Sequence, residues 1–167
     1  MANLSQLANE TEMNLDFDEE FEQSAENTET SKKYLAFRSD ELNFAIDADS
    51  VIEIINGHSI THLPKTPDFI KGIINLRGQI IPIMDMRLRM NRSEIEYGRE
   101  SCIIVITVEN ISIGLLVESV SQMLDIYESQ ICAPPLSTHQ DMVNGIARIH
   151  DAVYLLLDCR LLLGIDK

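Results

Sequence analysis

The fold is decided by residues 67–87, PDFIKGIINLRGQIIPIMDMR, in which two apolar runs flank Arg77 and Gly78. Short isoleucine-rich runs separated by a two-residue turn are typical of a β-hairpin. Gly78 suits this turn because glycine adopts a positive φ at little cost. Pro82 has no N–H to donate to a strand ladder, so we expect its strand to lie at a sheet edge or to carry a bulge there.

Arg77 poses the main question of this stretch. A guanidinium is always charged and presents five donors in a rigid fork, so beside an apolar segment it usually holds a specific carboxylate or carbonyl. An exposed turn arginine without a role is the competing interpretation.

The rest of the chain continues in short alternating runs. Pairs of such runs joined by turn residues predict three further hairpins and single strands. A short helix is predicted at 159–164, ended by Gly164, and one helical turn at 85–91. About ten short strands with little helix predict an all-β barrel or sandwich. The strand-like runs are YLAFR with LNFAI, SVIEIIN, CIIVITV with SIGLLVE, VSQMLDIY, and MVNGIARIH with AVYLLLD.

The charge is concentrated at the N-terminus. Residues 1–31 hold 9 of the 27 acids and no base, which leaves 18 acids and 13 bases in 32–167, a net charge of −5. We expect a disordered acidic leader at 1–31 and a folded domain at 32–167. Without a basic stripe, binding to nucleic acid or to anionic lipid is disfavoured. No signal peptide or membrane span is evident, so we expect a cytoplasmic protein.

Residues capable of chemistry are scattered. His58 and His62 lie in a loop beside Pro64, so we expect no metal site. An enzyme site assembled from His139, His150 and carboxylates is one alternative, and a small-ligand-binding barrel with a cavity is another. We expect no cofactor and no catalytic residue, and we expect the three cysteines to be buried free thiols. These are Cys102, Cys132 and Cys159.

Residues 34–163 resemble the CheW family of chemotaxis coupling proteins, most specifically in the block PDFIKGIINLRGQIIPIMDMR. The resemblance implies two intertwined five-stranded SH3-like β-barrel subdomains packed over an apolar seam, with a short C-terminal helix. It also implies a non-catalytic adaptor that joins the histidine kinase CheA to the cytoplasmic tips of transmembrane chemoreceptors, recruited to membrane-associated arrays. A CheW-like adaptor of another chemosensory system, such as one controlling twitching pili, stays open.

The resemblance implies a receptor-binding site centred on Arg77, with Asp85 as an electrostatic neighbour. Because a receptor tip is helical, its recognition should use apolar anchors with polar residues at the rim. The predicted receptor-binding residues are Arg77, Val51, Glu53, Ile54, Lys71, Asn75, Gly78, Ile80 and Cys102. Kinase binding should pair a barrel with the related C-terminal regulatory domain of the kinase. The residues predicted for it are Met84, Asp85, Met90, Gly114 and Glu118.

Overall fold

The computed structural model describes residues 29–135 and 141–165, which from Ser31 onward belong to the larger of the two units of the chain, Ser31–Lys167. The predicted acidic leader therefore lies almost entirely outside the described residues. Eleven strands, two short α-helices and two 3₁₀ helices, Ala48–Ser50 and Glu128–Gln130, are found in these ranges, which confirms the all-β class and the C-terminal helix. The first half contains β1 Ser31–Ser39, β2 Leu42–Asp47, β3 Val51–Ile55, β4 Ile70–Leu76, β5 Gln79–Asp85 and α1 Met86–Arg89. The second contains β6 Cys102–Val108, β7 Ile111–Val117, β8 Ser119–Tyr127, β9 Ile131–Cys132, β10 Val143–Ile149, β11 Ala152–Leu157 and α2 Cys159–Leu162.

The strands form two sheets, and each sheet takes strands from both halves of the chain. The first sheet has the order β8-β1-β2-β11-β10-β9, and the second has the order β3-β6-β7-β5-β4. Strand β3 follows β2 in the chain but pairs with β6 of the other sheet, and β8 follows β7 but pairs with β1. The predicted intertwining of two β-subdomains is therefore confirmed.

The two halves repeat one pattern of pairing. Each contributes two antiparallel hairpins and the strand that crosses to the other sheet. The last strand of each half then runs parallel to a strand of the other half, with Ile83 opposite Gly114 and Leu156 opposite Ala45. Asp85 and Asp158 follow at equivalent positions, each at the N-cap of a four-residue helix.

All four hairpins have two-residue turns in which both central residues have positive φ, the geometry that matches the twist of the strands. Three of these turns lie where the sequence predicted them, at Arg77-Gly78, at Glu109-Asn110 and around Asp151. The first turn is Asp40-Glu41, one residue later than expected from the sequence.

Each sheet curls so that its two edges meet. Thr61, downstream of β3, exchanges two backbone hydrogen bonds of 2.9 Å with Ile73 of β4. At the equivalent place in the first sheet, Cys132 of β9, downstream of β8, is opposite Ile146 of β10. Because the opposite edges are in contact, few backbone N–H and C=O groups of the edge strands stay unpaired, as expected for small barrels. The five-strand count holds in the second sheet, and the sixth strand of the first is only the two-residue β9.

The largest apolar cluster lies between the two sheets, as the predicted seam requires. Phe37 and Phe44 of the first sheet stack at 5.4 Å and pack in one cluster with Ile104 and Leu115 of the second. Each sheet also has a smaller core of its own, centred on Ile126 and Leu156 in the first and on Ile81 and Val105 in the second. Cys102 and Cys159 are buried free thiols as predicted, but Cys132 is exposed, because it lies on the short closing strand.

The prediction for Pro82 is corrected in part. Strand β5 is not an edge strand, because β4 and β7 flank it. Its pairing with β7, however, begins only at Ile83, so Pro82 lies where the strand is paired on one side, with Ile73 of β4. The missing N–H therefore costs no ladder bond to β7.

Candidate functional site

The hairpin tip Asn75–Ile80 presents Arg77 to solvent. The Asn75 side chain accepts a hydrogen bond of 2.9 Å from the Gly78 N–H, which fixes the turn. Arg77 has a φ of 51°, a value uncommon for a residue with a side chain, and its side chain is 72% exposed. The turn thus holds a charged group outward from a closed barrel.

The partner of Arg77 is Glu53 on β3, with which its guanidinium forms a hydrogen-bonded ion pair. Because Glu53 and Arg77 belong to the opposite edges of the second sheet, this pair spans the closure of the barrel. The prediction that Asp85 is the electrostatic neighbour of Arg77 is wrong. Asp85 is fully buried and instead caps α1 by accepting from the Arg87 and Leu88 backbone N–H groups.

Seven of the nine predicted receptor-binding residues fall into two groups. Asn75, Arg77, Gly78 and Ile80 form the tip with Glu53, and Ile80 is 56% exposed. Ile54 and Cys102 line an open groove of about 560 Å³ whose other walls include Arg99, Ser119 and Val120. Because Ser119 and Val120 belong to β8 of the first sheet, this groove runs along the seam between the sheets; we call it the seam groove.

Three predicted receptor residues are not exposed anchors. Cys102 lines the seam groove but is only 6% exposed, and Val51 packs against the main cluster. Lys71 lies elsewhere, with its Nζ paired with Glu94 and 3.8 Å from Asp85 Oδ2. Burial raises the pKa of the Cys102 thiol, so it is a packing residue at neutral pH.

The predicted kinase-binding residues lie mostly in the interior, which argues against direct surface contact by them, and their part in kinase binding stays a prediction. Met84, Met90 and Asp85 are buried, and Gly114 is enclosed by Ile103 and Ile83. Glu118 alone of the five reaches the surface, where its side chain is 31% exposed. Direct contact by the other four would require the subdomain to open.

Sequence reasoning missed two pairs of charged residues that join the sheets. Arg87 of α1 donates to Asp40, in the β1–β2 turn of the first sheet, over 2.9 Å, and lies 3.5 Å from Glu118. Reciprocally, Arg160 of α2 pairs with Glu109 in the β6–β7 turn of the second sheet. The repeated Asp-x-Arg in MDMRL and LDCRL was the signal for both. We call these contacts the Arg87 clamp and the Arg160 clamp.

The geometry of the described residues gives no support to the two alternatives, an enzyme site and a small-ligand-binding barrel. His150 is exposed at a hairpin turn, and His139 lies outside the described residues. Among residues 29–135 and 141–165 no three metal-ligating side chains cluster. The interior of both sheets is filled by side chains such as Phe37, Ile104 and Leu115, so the grooves are superficial. Within the same ranges, no helix has the length and apolar content of a bilayer span.

Comparisons with known proteins agree with this architecture. The chain is 29% identical over 139 residues to the chemotaxis protein CheW of Klebsiella aerogenes, covering 81% of this chain and 84% of that protein. It is 31% identical over 120 residues to the CheW of Bacillus subtilis, covering 72% and 77%. The crystal structure of the scaffolding protein TtCheW from Thermoanaerobacter tengcongensis superposes with a TM-score of 0.77 at 33% identity, covering 82% of this chain and 95% of that one. The family model of the CheW-like domain matches residues 33–166, and the chain therefore belongs to the CheW-like domain family.

Proposed function

We propose that this chain is a non-catalytic chemotaxis adaptor that couples transmembrane chemoreceptors to a CheA-type histidine kinase. The proposal is carried by two exposed features, the seam groove and the outward-facing Arg77, whose partner Glu53 precedes the groove residue Ile54, on a fold whose relatives are named chemotaxis and scaffolding proteins. Both features are suited to holding another protein. A filled interior and dispersed histidines agree with a role without catalysis.

The receptor tip is proposed to bind at the seam groove and the hairpin tip. Helix-in-groove recognition needs exposed apolar anchors flanked by a few polar residues. The apolar anchors are Ile54 and Ile80, which are 41% and 56% exposed. The flanking polar residues are Arg77, Glu53 and Arg99. Val51, Lys71 and Cys102 would act by supporting these residues.

The kinase is proposed to bind through its C-terminal regulatory domain at the surface around Glu118. The buried Met84, Asp85, Met90 and Gly114 would maintain the shape of that subdomain. An adaptor with these two partners works in the cytoplasm and is recruited to receptor arrays at the membrane. An adaptor of a non-flagellar chemosensory system would use the same surfaces, and gene neighbourhood distinguishes the two systems.

Calorimetric titration of the full chain with the regulatory domain of the organism's CheA-type kinase tests the proposal. Saturable one-to-one binding is expected. A second titration uses receptor cytoplasmic tips in nanodiscs, where weak sites gain from avidity. Absence of heat with both partners at any workable concentration would refute the adaptor function.

A further inference from the structure

Tyr97 is anchored on the second sheet by the buried carboxylate of Asp85. It belongs to the segment 91–101 that links the two halves, and its hydroxyl donates to Asp85 Oδ1 over 2.7 Å. Burial first, and then this hydrogen bond, raises the pKa of Tyr97 far above its usual value. Here a phenol covers the capping carboxylate of α1.

The first sheet has an equivalent carboxylate in Asp158. Asp158 Oδ1 accepts from the Arg160 and Leu161 backbone N–H groups at 2.9 and 3.2 Å, as Asp85 accepts from those of Arg87 and Leu88 at 2.9 and 3.3 Å. The Asn144 side chain donates to Asp158 Oδ2 over 3.1 Å, from the position equivalent to Lys71. The two sites thus share a cap, a flanking donor and a clamp arginine.

The Asp85 and Asp158 sites differ in that a tyrosine hydroxyl donates only to Asp85. Among the described residues no hydroxyl donates to Asp158 as Tyr97 donates to Asp85. An open groove of about 330 Å³ lies there instead, lined by residues that include Lys32, Val108, Asn144, Asp158, Cys159 and Arg160. We call it the Asp158 groove.

The two basic residues that line the Asp158 groove are each paired with a carboxylate. Lys32 Nζ lies 2.6 Å from Asp47 Oδ2, and Arg160 pairs with Glu109. An anionic ligand would have to compete with these carboxylates for Lys32 or Arg160. A neutral donor with an apolar body avoids this competition, because the Asp158 carboxylate can accept its hydrogen bond and Val108 and Leu157 can pack against it.

We propose that the Asp158 groove binds a tyrosine side chain of a partner protein, with the phenolic hydroxyl donating to Asp158 Oδ1 as Tyr97 donates to Asp85. The four tyrosines of the sequence lie in the described residues, and among them Tyr97 alone donates to a helix-capping aspartate, which is Asp85. Tyr34 lines the groove itself, without a hydrogen bond to Asp158.

The experiment is an NMR titration of the ¹⁵N-labelled full chain with three probes. N-acetyl-tyrosinamide should give saturable shifts at the Asn144 side chain and at the Arg160 and Leu161 amides. N-acetyl-phenylalaninamide, which lacks only the hydroxyl, should bind about tenfold more weakly, equivalent to about 1.4 kcal/mol. p-Cresol tests whether a free phenol is accepted.

Each result decides the proposal. Equal affinity for the two amides, or no localised shifts with the tyrosine amide, would overturn it. Binding of p-cresol without the tyrosine amide would reject a partner's side chain as the source. Val108→Phe, at the groove wall, should abolish the shifts, while Val108→Ala should retain them; persistence of binding in Val108→Phe would place the ligand elsewhere.

Discussion

The side chain of Arg77 is mostly exposed at a hairpin tip, and this exposure favours a role in recognition over one in packing. The sequence predicted its turn, because Arg-Gly between apolar runs is a local signal. Its partner could not be predicted, because Glu53 is 24 residues away and meets Arg77 only where the barrel closes.

Arg77→Ala should change the free energy of unfolding by less than about 0.5 kcal/mol, because an exposed ion pair contributes little. Receptor-dependent kinase activation should fall, because the proposed receptor-binding surface loses the charged group at its hairpin tip. The matched control is His150→Ala, at the equivalent turn of the other sheet. Activation in reconstituted arrays measures both, and full activation by Arg77→Ala would return Arg77 to an incidental turn residue.

Gly114→Ala should destabilise the fold by about 1–3 kcal/mol through overpacking. A Cβ there would lie 2.6 Å from both Ile103 Cγ2 and Ile83 Cδ1, where the parallel strands meet. Gly98→Ala is the control, because its added Cβ has no neighbour within 4 Å. Urea unfolding compares the two variants, and equal midpoints would show that the β5–β7 pair adapts easily.

Ionisation of Tyr97 should lower the free energy of unfolding at alkaline pH. Its folded pKa is raised, so its stabilising contribution is complete below the unfolded pKa of about 10 and is lost as pH rises beyond that. The loss should approach 1.4 kcal/mol per pH unit for this one group. Tyr97→Phe should flatten that slope. Unfolding measured at pH 8 and pH 11 tests this, and identical slopes in both proteins would contradict it.

At the scale of elements, α1 and α2 each have an aspartate at the N-cap and an arginine that pairs with a hairpin turn of the opposite sheet. The Arg87 clamp is the more buried one, with the Arg87 side chain 11% exposed against 36% for Arg160. Arg87 also donates from Nε to the Ser93 carbonyl over 2.8 Å. The two clamps are equivalent in topology but should differ in strength.

Arg87→Met should cost about 2 kcal/mol, because it removes the largely buried cation beside Asp40 and Glu118, although Asp40 keeps its pair with Arg92. Arg160→Met, its matched control, should cost under about 1 kcal/mol, because its partner Glu109 is exposed. Methionine preserves much of the apolar stem in both variants. Chemical unfolding ranks them, and an equal or reversed order would show that burial does not set the strength of the clamps.

At the scale of the whole molecule, the exchange of β3 and β8 makes each half of the chain incomplete. Neither half contains a full sheet, since β1 and β2 need β8 and β11 as neighbours. The main apolar cluster likewise draws on both halves. The two subdomains should therefore fold and unfold together.

A chain divided after Ser93 should yield two fragments that are unfolded separately and assemble when mixed. The division lies in the linking segment and cuts no strand. Far-UV circular dichroism and NMR dispersion of residues 1–93, of 94–167 and of their mixture give the measurement. A dispersed spectrum from either fragment alone would refute mutual dependence of the halves.

The sequence by itself determined the strands, the hairpin turns and the family, because alternation of apolar residues, turn chemistry and the 67–87 block are local in the chain. Only the tertiary structure decided that Arg77 meets Glu53, that Asp85 is buried under Tyr97 and that each helix arginine clamps the opposite sheet. Those contacts join residues 12 to 51 positions apart or depend on which strand crosses to which sheet. A period of two specifies which face of a strand is buried, but it does not specify the strand's neighbours.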